Sequence, residues 1–446
     1  MKKNIKNIAL GFSILVLFFF ALSYYSKMVY DAAINGRDSG FIAGHLTNFA
    51  NYPNQIKEVL TSNELAGIPS TYLKMDSSFQ EVNHLNYDLF AVNSFWNIET
   101  NGWDIKLFNL KNDSVIHKWT LADKGLDFVT TDWSFANAVL HNCIILPDQS
   151  IIVSADESAN LMRLDAQSKP LWINHELIFH HSLNLDADSN LWTCSADLFK
   201  DKRLKVKGAS IPDGKIYKYK ENYITKIDQN TGKILFHKGI SQIFTENHYK
   251  NFMFGFGDEY NSNKIHDPIH LNDVQPLLKD GKYWKKGDLL LSMRHRSLVM
   301  LYRPSTNKII RLIYGDFTNQ HDVDIVSDSE ISIFNNNTIR FKENKANHIC
   351  KVTDSLLSSE IVIYNFQDST CKPILTKYFI ENKIWTETQG LHQRLSNGDL
   401  FVESQNSGKL YLMNNSGVIM KKQLHTPLEG YAYHTNWIRL YEQLPY

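Results

Sequence analysis

The stretch His321-Asp322-Val323-Asp324-Ile325-Val326-Ser327-Asp328-Ser329-Glu330-Ile331-Ser332-Ile333 decides the fold. Polar and apolar residues alternate up to a Ser/Asp turn and then alternate again, so the segment reads as two short strands joined by a hairpin. The same arrangement recurs from His141 to Val153, from His181 to Trp192 and from His392 to Val402. In each, a histidine leads an alternating strand, an Asp/Asn/Gly/Ser turn and a second strand. His141 and His181 stand one repeat apart at a propeller-blade length of roughly 40 to 45 residues. Further strands follow, as in Asn222–Phe236 and Gly408–Met420, where Asn230-Thr231-Gly232 and Asn415-Ser416-Gly417 supply the positive φ of tight hairpins. Sheets of this kind cannot bury both faces alone and must stack in a ring. The expected fold is all-β, a β-propeller over 81–446.

In a propeller, equivalent positions of successive blades converge on the central channel, so residues distant in sequence meet at its mouth. Between Asp267 and Asn336 three polar signatures lie at strand ends: His270-Leu271-Asn272, Ser292-Met293-Arg294-His295 and Asn319-Gln320-His321-Asp322. His181, His270 and His321 each begin an alternating strand, and with Asn272 and Arg294 they form the candidate site. Arg294 offers planar, permanently charged donors, Asn272 a neutral amide donor, and an imidazole donates or accepts according to tautomer. Such a set suits a tetrahedral oxyanion. Clustered histidines also bind metals; against this stand the charge of Arg294 and the lack of a carboxylate at the repeated histidine positions, so no metal and no cofactor is expected.

The order of these signatures resembles the arylsulfotransferase family, in which His-x-Asn, Ser-x-Arg-His, Gln-His and Phe-Asp-Asn follow one another around the mouth of a propeller. Here they read His270-Leu271-Asn272, Ser292-Met293-Arg294-His295, Gln320-His321 and Phe334-Asn335-Asn336. The resemblance covers about Ala136 to Tyr433 and implies six blades. It also implies sulfuryl transfer from an aryl sulfate donor to a phenolic acceptor, independent of a nucleotide sulfate donor. His321 would attack sulfur and carry a sulfohistidine, while His181, His270, Asn272 and Arg294 hold the sulfate oxygens. Thr386 or Thr388 would add a hydroxyl contact, and His180 competes with His181 for its role. Asn335 replaces the family's aspartate, removing a carboxylate that would orient either the nucleophile or the turn, and the segment before Gln320 is short.

Bulk properties narrow the alternatives. The chain of 446 residues is 43% hydrophobic with zero formal net charge, which excludes nucleic acid as the principal partner. Lys2, Lys3 and Lys6 precede an apolar, uncharged run from Ile8 to Ser26, read as a signal anchor or transmembrane helix over 1–27 with a cleaved secretory signal as the alternative. The charge bias places the propeller outside the cytoplasm, periplasmic or extracellular. A helical linker is expected over 28–80. Cys143, Cys194, Cys350 and Cys371 are too few for a disulfide scaffold; Cys350 and Cys371 could bridge after export. Asp197–Asn222, with the basic run Lys200–Lys207, and Glu246–Lys264, with the aromatic run Tyr249–Tyr260, read as surface insertions, the first a solvated loop. Two readings compete with the enzyme: a non-catalytic propeller that binds a ligand or protein at its mouth, and a metal-dependent propeller hydrolase or lyase.

Overall fold

Each alternating pair becomes the inner half of a four-stranded antiparallel sheet in the computed structural model, which describes residues 12–26, 68–122, 139–198, 204–210, 216–255, 266–338 and 358–446. Six such sheets form the blades of the propeller. Their inner strands, in ring order, are Arg439–Tyr441, Leu140–Ile145, Leu177–Leu185, Leu271–Pro276, Val323–Ile325 and Leu391–Arg394. The turn residues behave as their chemistry requires. Asp148 accepts the Ser150 amide at 3.1 Å, Asp186 accepts those of Asp188 and Asn190 at 2.9 Å, and Gly232 takes φ 71°.

Packing between blades explains why a strand such as Leu289-Leu290-Leu291 is apolar at every position. Leu289 and Leu291 join Trp192, Cys194 and Ile224 of the preceding blade in one core, while Leu290 joins Ile331 and Ile333 of the following blade in another. The next strand divides likewise: Met300 and Tyr302 face one way, Val299 and Leu301 the other. Comparable cores join Ile152 and Leu161 to Phe179 and Leu191, and Phe334 and Ile361 to Val402 and Tyr411.

Ring closure draws on both ends of the compact unit Thr71–Tyr446. The first blade takes three strands from Phe90–Asn97, Gly102–Asn109 and Val115–Ala122, and its inner strand from Arg439–Tyr441, with Leu440 opposite Ala91. Buried Glu403 clasps this inner strand to the sixth blade: its two carboxylate oxygens accept the amides of Trp437 at 3.1 Å and Ile438 at 2.8 Å. Val82–Asn83 adds a fifth strand outside the sixth blade, and Tyr72–Lys74 pairs with Tyr431–Tyr433.

The N-terminal expectations fare differently. Residues 12–26 are helical. No helix among the described residues is long and apolar enough to cross a membrane. The expected span over 1–27 is thus not found there, and residues 1–11 and 27–67, including most of the expected helical linker, lie outside the described residues. Of 28–80, the described part holds the strand Tyr72–Lys74. Cys371 is a free thiol and Cys143 and Cys194 are buried; Cys350 lies outside the described residues. The basic run leads into a hairpin, Val206–Ser210 with Ile216–Lys220, rather than a plain solvated loop. Lys207 meets Glu221 at 3.1 Å and Lys220 meets Glu157 at 2.7 Å. Of the aromatic run, Asn251–Phe254 is a short helix, and residues 256–265 lie outside the described residues.

Glu403→Leu is expected to leave the two amides of the clasp buried and unbonded, at about 1–3 kcal/mol each. Urea unfolding should show a loss of about 2–6 kcal/mol, and limited proteolysis should cut first near residue 437. An unchanged unfolding midpoint would remove the clasp from the closure of the ring.

Candidate active site

Six residues with left-handed backbone stand in or just ahead of the inner strands, one per blade: Trp437, Asn142, His181, His270, Asn319 and Gln389, with φ between 46° and 61°. A non-glycine residue pays roughly 1–2 kcal/mol for this conformation. At His181 and Asn142 it falls within register shifts of the strand pairing, between His180 and Leu183 and between His141 and Ile144. Such bulges re-aim side chains, and here they turn imidazoles toward the channel.

The result is a chain of rings leading inward. The exposed His295 stacks on His270 at 4.6 Å, His270 meets His181 at 5.3 Å, and His181 meets the buried His321 at 6.0 Å. His180 and His141 flank His181 at 5.1 and 6.4 Å, and Trp437 lies edge-on to it at 6.0 Å. The Arg294–Arg296 turn is pinned to the neighbouring strand, since the amides of Arg294 and His295 donate to the carbonyls of His270 and Ile269 at 3.1 Å. Arg294 is itself buried.

Hydrogen bonds fix the two central imidazoles. His321 Nδ1–H donates to Asn336 Oδ1 at 2.7 Å, while Nε2 accepts the Gln389 backbone N–H at 3.0 Å. That pairing selects the tautomer with its lone pair on Nε2. Burial, with the Arg294 guanidinium next in weight, holds His321 well below the usual histidine range. His270 Nδ1 faces Asp267 Oδ2 at 2.8 Å, and Asp267 also accepts the His270 amide. Burial works to raise the Asp267 carboxyl, but the bond and charge of His270, with Lys220, leave it ionised well below its ordinary value. Asp156, behind His181, accepts the His181 amide at 3.0 Å; burial and then Glu157 push its carboxyl up to about 7.

The structure therefore gathers His181, His270, Arg294 and His321, and it distributes the other expected site residues differently. Asn272 is fully buried and donates one amide N–H to the Gln320 carbonyl at 2.8 Å, fixing the approach to His321. Ser292 Oγ does the same at the His321 carbonyl. Thr388 is lashed to Asn406 beside Gln389, and Thr386 bonds the same side chain. Asn335, the departure from the family's aspartate, bonds the amides of Thr318 and Asn337 and so orders the turn; Asn336 is the group on the His321 ring. Composition and repeat spacing give no signal for Trp437 or Gln389, whose places depend on blade closure and backbone handedness; Asn336 stands in the Phe334-Asn335-Asn336 signature, without a role assigned to it there.

His392, aligned by the repeat with His321, does not join these rings. It lies with Asp322, Asp324 and Asp273 along a second chamber of about 340 Å3 in the channel. Burial pushes these carboxyls up, Asp273 to about 8 and the other two to about 7, and Asp322 adds to the rise of both neighbours.

The profile of the family described as "Arylsulfotransferase (ASST)" matches residues 142–424. The chain belongs to the arylsulfotransferase family. Among solved structures it is similar to a protein of unknown function from Bacteroides caccae, at 10% identity and TM-score 0.45 over 79% of this chain and 98% of that one. It is also similar to virginiamycin B lyase from Staphylococcus aureus, at 9% identity and TM-score 0.37 over 81% and 98%. The WD40 propeller domain of Doa1 matches at 10% and 0.39 over 79% and 85%. No curated protein matches. In this arylsulfotransferase-family chain, buried His181 and His321 and part-buried His270 gather with the buried Arg294, and His295 marks the exposed end of the cluster.

Burial pushes His141 and His180 down to about 3, whereas both titrate near 6.5 in an unfolded chain. The stability gained by holding them neutral is complete above pH 6.5 and drains as pH falls toward 3. Buried carboxyls raised to about 7 or 8 act with the opposite sign over this range, so the test is the difference between proteins: from pH 6.5 to 4 the denaturant midpoint of His141→Gln should fall less, or rise more, than the parent's. A variant slope equal to the parent's would exclude His141 as a contributor.

Proposed function

We propose that the protein is an aryl-sulfate sulfotransferase that moves a sulfuryl group from an aryl sulfate to a phenol through a sulfohistidine on His321. The observation that carries this reading is the state of His321: a buried imidazole with Nδ1–H held by Asn336, Nε2 bearing the lone pair, and a guanidinium alongside. A nucleophile of this kind needs no base at neutral pH.

In the first half-reaction Nε2 forms a bond to sulfur as the sulfur–oxygen bond to the aryl group breaks, and its electron pair leaves with the phenolate. Phenols have a pKa near 10, so leaving needs little help; the N–H of His181 or His270 can supply the proton. Nδ1–H stays on Asn336 Oδ1, whose carbonyl dipole faces the positive charge that develops on the ring. In the second half-reaction an acceptor phenol, giving up its proton to the same imidazole, attacks sulfur, and the nitrogen–sulfur bond breaks back to neutral His321. Arg294 and the histidine N–H groups stabilise charge on the three sulfuryl oxygens, as in other in-line transfers of a tetrahedral group. Because the Gln389 N–H caps Nε2 at 3.0 Å, attack requires residues 386–390 to withdraw. The freed amide then lies beside the incoming oxygens as a further donor. Export of the ring rests on the basic flank and the apolar run 8–26, which serve an anchor or a cleaved signal alike.

A non-catalytic binding propeller is the second reading, favoured by the aspartate missing at 335. It loses force because Asn335 orders the turn and does not touch His321.

With 4-nitrophenyl sulfate and phenol, the parent should release nitrophenolate, and His321→Ala should lose at least roughly 10³-fold in kcat. Mass spectrometry of the peptide containing His321, after donor alone, should show one added sulfuryl group; an active enzyme without that adduct would rule out the intermediate. Asn335→Asp is expected to change kcat less than about threefold, whereas Asn336→Leu should cost about 10–100-fold at unchanged fold. The opposite ranking would return the orienting role to position 335.

A further inference from the structure

The second chamber of the channel has a composition that the sulfuryl chemistry does not use. Asp273, Asp322 and Asp324 reach it from the fourth and fifth blades and His392 from the sixth. Asp273 is occupied: it accepts Asn184 Nδ2 at 3.1 Å and the Val323 amide at 3.0 Å. Asp322 and Asp324 are two residues apart on one strand, so both project to the same side, and His392 faces them from the adjacent inner strand. One donor atom from each of Asp322, Asp324 and His392 lies within 4.8 Å of the other two. A first-row ion with bonds of about 2.0–2.2 Å needs its ligands this close together.

The imidazole supplies an independent pointer. His392 is buried, with a side-chain exposure of 0%. Nε2 lies 2.7 Å from Ser332 Oγ. Nδ1 stands 2.6 Å from Asp322 Oδ2 yet makes no hydrogen bond, because the approach falls outside the angles that an N–H donor needs. With Nε2–H given to Ser332, Nδ1 keeps its lone pair on the side of the Asp322 and Asp324 carboxylates, and Asp322 Oδ2 also accepts the His392 backbone amide at 2.9 Å. That is the arrangement of a ligating histidine whose far N–H is held by a neighbour. Arg439 lines the same chamber and its charge acts on Asp322 and Asp324 at a distance, but its guanidinium hydrogen bonds go elsewhere, to Asn142 Oδ1 at 2.6 Å and to the Leu183 carbonyl at 2.5 Å. Among the described residues, neither Arg439 nor Arg394 makes an ion pair with any of the three.

We propose that Asp322, Asp324 and His392 bind a divalent first-row cation of the Zn2+ or Mn2+ class, which ties the fifth blade to the sixth beside the channel. Two carboxylates and one imidazole suit such an ion, and the chamber leaves room for water to complete its coordination. The site is separate from the cluster of His181, His270, Arg294 and His321: alternation along the strand sends His321 to one chamber and Asp322 to the other. Its role is structural, so it does not depend on the sulfotransferase reading.

The test uses the full chain, stripped with a chelator and dialysed, then titrated with ZnCl2 or MnCl2 by calorimetry and followed by thermal unfolding. The expected result is one equivalent bound and a rise in Tm of at least several degrees. Asp324→Asn and His392→Gln should each lower affinity at least roughly tenfold and abolish the rise in Tm, while circular dichroism of the metal-free variants matches the parent. His295→Gln, which disrupts the other cluster of Asp267, His270 and His295, should leave both unchanged. Either of two results would overturn the proposal: no binding at millimolar metal, or binding lost in His295→Gln and retained in Asp324→Asn.

Discussion

A sheet that is apolar on both faces has no stable place to stop. In this chain Leu289 and Leu291 pack backward and Leu290 packs forward, so every blade demands another on each side until the ring closes. At roughly 25 cal/mol per Å2 of apolar surface buried, an open edge blade would forfeit one whole core. Closure therefore governs everything at the centre. It is made by Arg439–Tyr441 filling the gap in the first blade and by Glu403 holding the amides that lead into that strand.

Closure also creates the channel, and the channel dictates where polarity goes. Inner strands have no neighbour on the axis side, so their polar groups point at one another across a narrow space. The left-handed residues decide which groups reach the mouth. His181 and His270 sit in conformations that their side chains disfavour, and interblade bonds such as Asn272 to the Gln320 carbonyl hold the arrangement. Local strain is thus balanced by contacts between blades, and the site inherits its rigidity from the ring.

Much of this was legible in the residues. Alternation and turn chemistry revealed the strands, the repeat revealed the propeller, and the ordered signatures marked His181, His270, Arg294 and His321, which do converge. Misreadings share a physical origin. Repeat alignment equated His392 with His321, but strand phase across a bulge or a left-handed residue shifts by one, and the two imidazoles enter different chambers. Asn272 looked like an anion donor because its type fits; its bond to a backbone carbonyl 48 positions away is a property of blade contact. Of the two roles open to position 335, the structure shows the ordering of a turn, while Asn336 beside it bonds His321. The contribution of Trp437 follows from closure, which no local window contains.

The closing strand has a kinetic consequence. Asn436 bonds to Asn93, 343 positions earlier in the chain, so blade one stays incomplete until nearly all of the polypeptide is available. Long-range pairing of this kind is slow to form and leaves apolar strand faces open to misassociation in the meantime. Blades two to five can assemble as a nascent arc during synthesis, but the cluster of imidazoles is complete only after the final docking step. Maturation of this protein is therefore a late, all-or-none event.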